Sequence, residues 1–219
     1  MKIAVFTSKG SPILESIVKN SKNGFLRSEI RLVITDRRNS SAIDLCEKEK
    51  IPFEIIGPKL FHRELVYVST LLQILRKYEI NFLCLAGYRN KIPKDIIEKF
   101  PLRIIKSIPV VNPEDFHGQE LYGKKLISAA LKKDKIGIVI KFVETGFNPN
   151  LIITKYEIDN IAIKKLAKEN LEEAIGCLAP TLQYFEERLL LDALRMIELG
   201  QIKVIDGCVE KIILKSSAR

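Results

Sequence analysis

Apolar and polar positions along this chain follow two rhythms. Short apolar runs bounded by Gly, Ser, Asn or Pro recur between stretches where apolar residues return every three or four positions. Residues 2–7 (KIAVFT) form the first run, ending in Ser8-Lys9-Gly10-Ser11-Pro12, after which Ile13, Leu14 and Ile17 recur at helical spacing. Arg31 to Ile34 predicts a second strand, closed by Thr35-Asp36-Arg37-Arg38-Asn39-Ser40, with a helix over 42–50 and a third strand from Pro52 to Ile56. Between Phe61 and Tyr78, apolar residues at 65, 68, 71, 72 and 75 predict an amphipathic helix. Ile80 to Ala86 predicts a fourth strand, broken at Gly87; a helix and Pro101 lead to a fifth, Ile104 to Val111. A helix over 123–133 precedes a sixth strand, Ile136 to Val143. A strand at 151–158 follows so soon that one antiparallel neighbour is expected. Residues 161–199 predict helix, with a break at Gly176 and Pro180. Asp206-Gly207 between two apolar runs predicts a hairpin, and Ser216 to Arg219 a loose tail.

Strands and helices alternating at this rhythm predict an α/β fold: a doubly wound, mostly parallel sheet with helices on both faces. With 219 residues and no linker, repeat or low-complexity stretch, the chain reads as a single domain over 1–219, with 161–215 part of it. Ligands of such sheets sit outside the carboxyl ends of the strands. The fifth and sixth runs both end in segments rich in Asn, Pro, Gly and acids, so the stretch from Ile108 to Asn150 is where a site is expected.

Composition narrows the chemistry. The net charge of +9 comes from 36 basic and 27 acidic residues spread along the chain, with no basic block and no aromatic–basic interleaving. Nucleic acid is therefore not the expected partner. No apolar run reaches the length of a membrane span, and the N-terminus enters a strand directly without a signal-peptide layout. Four scattered cysteines (Cys46, Cys84, Cys177, Cys208) and two histidines give no metal-ligand spacing. A cytoplasmic location with reduced thiols and no metal is the expectation.

Two readings of the first turn stay open. Lys9, Gly10, Ser11 and Pro12 open a helix whose free N–H groups suit a phosphate, or these are simply turn-forming residues. His117 is the one imidazole near the candidate segment. It is either a relocated base or a surface histidine beside a Gly118 turn. Glu114, Asp115 and Glu144 lie in the same loops, as solvated charges or as acid–base groups.

Several strings, in order, resemble the formyltransferase family, nearest its phosphoribosylglycinamide branch. Ser8-Lys9-Gly10-Ser11-Pro12 is similar to that family's phosphate-holding turn. Arg63-Glu64 before a helix, and Leu85-Ala86-Gly87-Tyr88 continuing through Arg89, Asn90 and Ile92, are similar to its folate-binding wall, where an Arg commonly stands at the place of Asn90. Asn112-Pro113, Tyr122-Gly123 and Ala129-Ala130-Leu131 resemble the segment after its fifth strand. Lys141-Phe142-Val143, with Glu144 and the loop to Asn148, resembles its folate-facing loop. Glu186-Glu187-Arg188 through Gly200 and the hairpin resemble its closing elements. The resemblance implies the matching Rossmann-like fold. It also implies 10-formyltetrahydrofolate as co-substrate, glycinamide ribonucleotide (a phosphoribosyl amine) as acceptor, and a monomer or homodimer in purine biosynthesis.

The family's reaction is attack of an amine on the formyl carbon. Donors from an Asn and a protonated His steady the oxyanion, and an Asp fixes the His and helps move the proton. With Pro113 aligned, the family's Asn falls on Val110 and its His on Asn112. With Lys141-Phe142-Val143 aligned, its Asp falls on Asn148. Asn112 can donate a hydrogen bond, but neither amide titrates near neutral pH. The expected consequence is a rate lowered by ~10²–10⁴; the alternative is a catalytically silent relative that binds a folate, a phosphorylated ligand or a protein partner. Relatives acting on methionyl-tRNA carry a further C-terminal domain and folate-hydrolysing ones a further N-terminal domain, which the length of this sequence disfavours.

Overall fold

The computed structural model describes residues 1–8, 12–113, 116, 118, 124–146 and 148–212. Lys9, Gly10, Ser11, Glu114, Asp115, His117, Tyr122, Gly123 and the 216–219 tail lie outside the described residues. The chain divides into two compact units, Met1–Lys106 with Phe142–Gly146, and Ser107–Lys141 with Phe147–Arg219.

In the first unit, β1 (Lys2–Thr7), α1 (Pro12–Lys22), β2 (Glu29–Thr35), α2 (Ser41–Glu49), β3 (Phe53–Ile55), α3 (Glu64–Lys77), β4 (Phe82–Leu85) and α4 (Lys94–Lys99) lead into β5 (Ile104–Val111). The strand order is β3-β2-β1-β4-β5, and every pairing within it is parallel. β1 and β4 are covered on both faces, which is why Ile3-Ala4-Val5-Phe6 and Phe82-Leu83-Cys84-Leu85 read as unbroken apolar runs and are all buried. Helix α1 starts at Pro12, as the sequence predicts, where a missing N–H is harmless. Helix α3 corrects one detail. Its buried stripe is Tyr67, Val68, Leu71 and Leu75, and Leu65 is 76% exposed. Two positions along a helix is more than half a turn, so once the large Tyr67 ring faces inward, residue 65 faces out.

The second unit holds the rest of β5 and then α5 (Lys124–Ala130), β6 (Lys135–Phe142), β7 (Ile152–Asp159), α6 (Ile161–Glu169), α7 (Leu171–Glu198) and the hairpin of β8 (Ile202–Ile205) and β9 (Cys208–Lys211). Its sheet order is β5-β6-β7, with β7 antiparallel to β6 as the short connection requires. Gly137 on β6 sits where the backbones crowd: a Cβ there would lie 2.0 Å from the Tyr156 carbonyl oxygen and 2.4 Å from Pro113 Cγ. Fully buried Asn160 ties the end of α5 to the start of α6. Its Nδ2 donates to the carbonyls of Ala130 (2.8 Å) and Lys133 (3.0 Å).

The helix break predicted at Gly176 and Pro180 is overturned. α7 runs unbroken through both, and the break falls at Asn170. Asn170 Oδ1 accepts from the Glu173 N–H at 3.1 Å, while its Nδ2 reaches Glu173 Oε2 at 3.3 Å. Such a reciprocal cap is worth about 1 kcal/mol. Ala174, Leu178 and Leu182 are buried at four-residue spacing across the Gly–Pro stretch. Burying one leucine contributes roughly 1.5–3 kcal/mol, and two of them offset the ~3 kcal/mol penalty of a mid-helix proline.

Candidate functional site

From β1 the first unit builds outward in both directions, β2 and β3 on one side, β4 and β5 on the other. The switch point of a doubly wound sheet, where its ligands sit, is thus between the carboxyl ends of β1 and β4. Ser8, fully buried just past β1, accepts the Arg89 backbone N–H at 3.1 Å. Gly87 turns the chain after β4 with φ +72°, a conformation that suits glycine. Tyr88 then points inward, 1% exposed, its ring edge-on to Phe6 at 5.3 Å and its hydroxyl 3.3 Å from that of Tyr67. Burial pushes the ionisation of both phenols up, so both stay neutral hydrogen-bonding groups. Asn90 Nδ2 donates to Asp36 Oδ2 at 2.9 Å. Asp36 Oδ1 and Thr7 Oγ1 are buried polar atoms with no hydrogen-bond partner among the described residues. Gly57 lies against Asp36: an added Cβ would come within 2.6 Å of Asp36 Cβ.

The expected folate-wall residues divide in character. Tyr88 and Ile92 belong to the core cluster of this unit, with Val143 packed against it. The Val143 N–H donates to the Ile104 carbonyl at 2.8 Å. Asn90 and Glu144 are half-buried, while Arg63, Arg89 and Pro12 are exposed. Asp36 and Tyr67 escaped the sequence reading as candidates for the site. Asp36 had a usable signal, being the first acid past the end of an apolar strand.

At the end of β5, in the second unit, Val110 is 3% exposed in an apolar cluster with Ile108, Phe116 and Val139. Asn112 follows with φ +61°, the left-handed conformation that Asn tolerates better than other side chains. Its backbone N–H donates to the Lys135 carbonyl at 3.3 Å. Asn148 Oδ1 accepts the Asn150 N–H at 2.9 Å and so caps the short 3₁₀ turn Pro149–Leu151. Further along β5's inner face, the Ser107 hydroxyl donates to Glu186 Oε1 on α7 at 2.5 Å. Burial pushes the Glu186 carboxyl up to about 6, with the Ser107 bond pulling it partly back. Among the described residues no group of three or more His, Cys, Asp or Glu could hold a metal ion, and no helix is long and apolar enough to cross a membrane.

Residues 1–181 match the family model described as formyl transferase. The chain is 28% identical over 206 residues to the chloroplastic phosphoribosylglycinamide formyltransferase of Arabidopsis thaliana, covering 92% of this chain and 67% of that one. It is 26% identical over 158 residues to the phosphoribosylglycinamide formyltransferase of Bacillus subtilis, covering 72% and 79%. Its fold is similar to the crystal structure of glycinamide ribonucleotide transformylase 1 from Symbiobacterium toebii, with TM-score 0.80, 19% identity, and coverage of 97% and 94%. A match across residues 1–181 takes in every strand of the main sheet, both strand-end regions described above and all but the last elements of the fold. The chain belongs to the formyl transferase family.

Proposed function

We propose that this chain transfers a formyl group from 10-formyltetrahydrofolate to the amine of glycinamide ribonucleotide, slowly for its family. The family match over residues 1–181, together with relatives named for that reaction, carries this reading. The acceptor nitrogen attacks the formyl carbon, a C–N bond forms, and the carbonyl oxygen takes up charge. The folate N10 then leaves with the proton. Asn112 stands at the place of the family's histidine and serves as a neutral donor to the oxyanion. Val110 stands at the place of the family's asparagine, and its burial among Ile108, Phe116 and Val139 supports the absence of a second donor there. Asn148 stands at the place of the aspartate. No residue at these three positions moves a proton at neutral pH, so deprotonation of the amine falls to solvent, with a rate penalty of ~10²–10⁴.

Lys9, Gly10, Ser11 and Pro12 take the acceptor phosphate in this reading. Tyr88, Arg89, Asn90 and Ile92, with Arg63, Val143 and Glu144, form the folate side. Because Tyr88 and Ile92 are buried and Asn90 is held by Asp36, the main chain of 88–92, rather than these side chains, meets the pterin. The test is turnover by the purified protein with both substrates. Slow formylation that falls further in Asn112→Ala is expected; no turnover above the uncatalysed background removes the reading.

One observation favours a second reading, a silent binder of the same ligands. The Asn148 carboxamide oxygen accepts the Asn150 N–H at 2.9 Å, a structural role rather than a chemical one. Calorimetry showing folate binding by a protein without turnover would select it.

A further inference from the structure

Two adjoining grooves in the second unit carry positive charge that formyl transfer does not use. The first, about 500 Å³, is floored by Val111 and Ala129 and edged by Lys125, Lys132 and Lys133. The second, about 530 Å³, is floored by Leu131, Ala167 and Leu171 and edged by Lys132, Lys164 and Lys168. Ser128 and Lys132 line both, so the two form one trough along the outer face of α5. Residues 125, 128, 129 and 132 recur at helical spacing, which puts them on one stripe about 10 Å long.

Three features define the occupant. Five lysines edge the trough, and among the described residues no carboxylate lines either groove. Lys164 pairs with Asp134 at 2.6 Å, whereas Lys125, Lys132, Lys133 and Lys168 pair with no carboxylate among the described residues. The floor is apolar, and Leu171 is 54% exposed on it. Among the described residues no arginine or aromatic residue lines either groove. The described lining thus supplies neither the planar forks that read phosphate nor the rings that stack bases.

We propose that this trough is a docking site for an acidic, amphipathic protein segment. Apolar side chains of the segment settle on Leu131, Ala167 and Leu171, and carboxylates at its margins meet the lysine rim, as in helix-in-groove recognition. Burying the apolar floor supplies affinity, and the one-signed rim supplies selection and a salt-dependent association rate. The trough is separate from the formyl-transfer reading, which can fail without touching it.

The test uses the full chain and a short synthetic peptide with leucine at helical spacing and glutamate elsewhere. Its comparators are the same peptide with serine for leucine, single-stranded polyuridylate, and phosphatidylserine vesicles. The leucine–glutamate peptide is expected to bind best and to weaken as salt rises. Lys132→Glu/Lys168→Glu is expected to weaken it at least ~10-fold, and Leu171→Ser about 3- to 10-fold, both with an unchanged melting temperature. Equal binding of the serine peptide, tighter binding of RNA or vesicles, or indifference to the lysine reversals each overturns the proposal.

Discussion

The two strand-end regions are built by opposite means. Past β1 and β4, side chains make the ties: Tyr88 to Tyr67, Asn90 to Asp36, and Ser8 to the Arg89 backbone. Past β5 and β6, the backbone is held instead. Asn112 adopts φ +61°, Asn148 caps its own turn, and Pro113 lies within reach of Gly137. The first region is a wall of buried and half-buried groups joined through their side chains. The second sets chain direction and offers no titrating group at positions 110, 112 and 148.

Substitutions can break or sharpen that contrast. The largest expected effect is Gly137→Ala. A Cβ 2.0 Å from a strand carbonyl cannot be relieved by a side-chain rotation. A loss of ~3 kcal/mol in urea unfolding is expected; a change below about 1 kcal/mol would show that the β6 region is looser than described.

Next comes pH. Glu186 rises from an ordinary 4.5 to about 6, so between these values the folded state binds more protons than the unfolded chain. The contribution of Glu186 to stability is therefore full below about pH 4.5 and falls as pH rises through about 6, by up to roughly 2 kcal/mol. Comparing unfolding free energies of the protein and Glu186→Gln across this window isolates the slope, which should vanish in the variant.

In the wall, Tyr88→Phe leaves the buried Tyr67 hydroxyl without its phenol partner, for an expected loss of ~1–2 kcal/mol. Tyr67→Phe/Tyr88→Phe should recover part of it; strict additivity would mean that the 3.3 Å contact contributes nothing. The smallest effect is Asn148→Ala, about 0.5–1 kcal/mol for one lost cap bond. If Asn148 acts only structurally, this variant leaves any measured turnover unchanged.

Much of the fold was legible because the central strands are apolar on both faces, and Val, Ile, Phe and Leu runs such as 3–6 and 82–85 have few other readings. Helix α7 was misread because Gly176 and Pro180 are local signals, whereas the stripe of Ala174, Leu178 and Leu182 gains only from a surface that tertiary packing supplies. Leu65 was misread because spacing alone does not say which of two overlapping stripes contains the largest ring. At the candidate site, strings of residues could be likened to a family pattern, but the partners of their side chains could not be read. Asp36 and Asn90 are 54 positions apart, and only folding brings the two side chains together.

Pro180 brings no N–H to the carbonyl of Gly176, four positions earlier in α7. A single rod in outline, this helix is two segments in its ladder, joined by packing and by the Thr181 hydroxyl's 2.8 Å bond to the Cys177 carbonyl. Deuterium should therefore enter the amides before the proline independently of those after it, so that the first turns of α7 open without disturbing the Glu186 end.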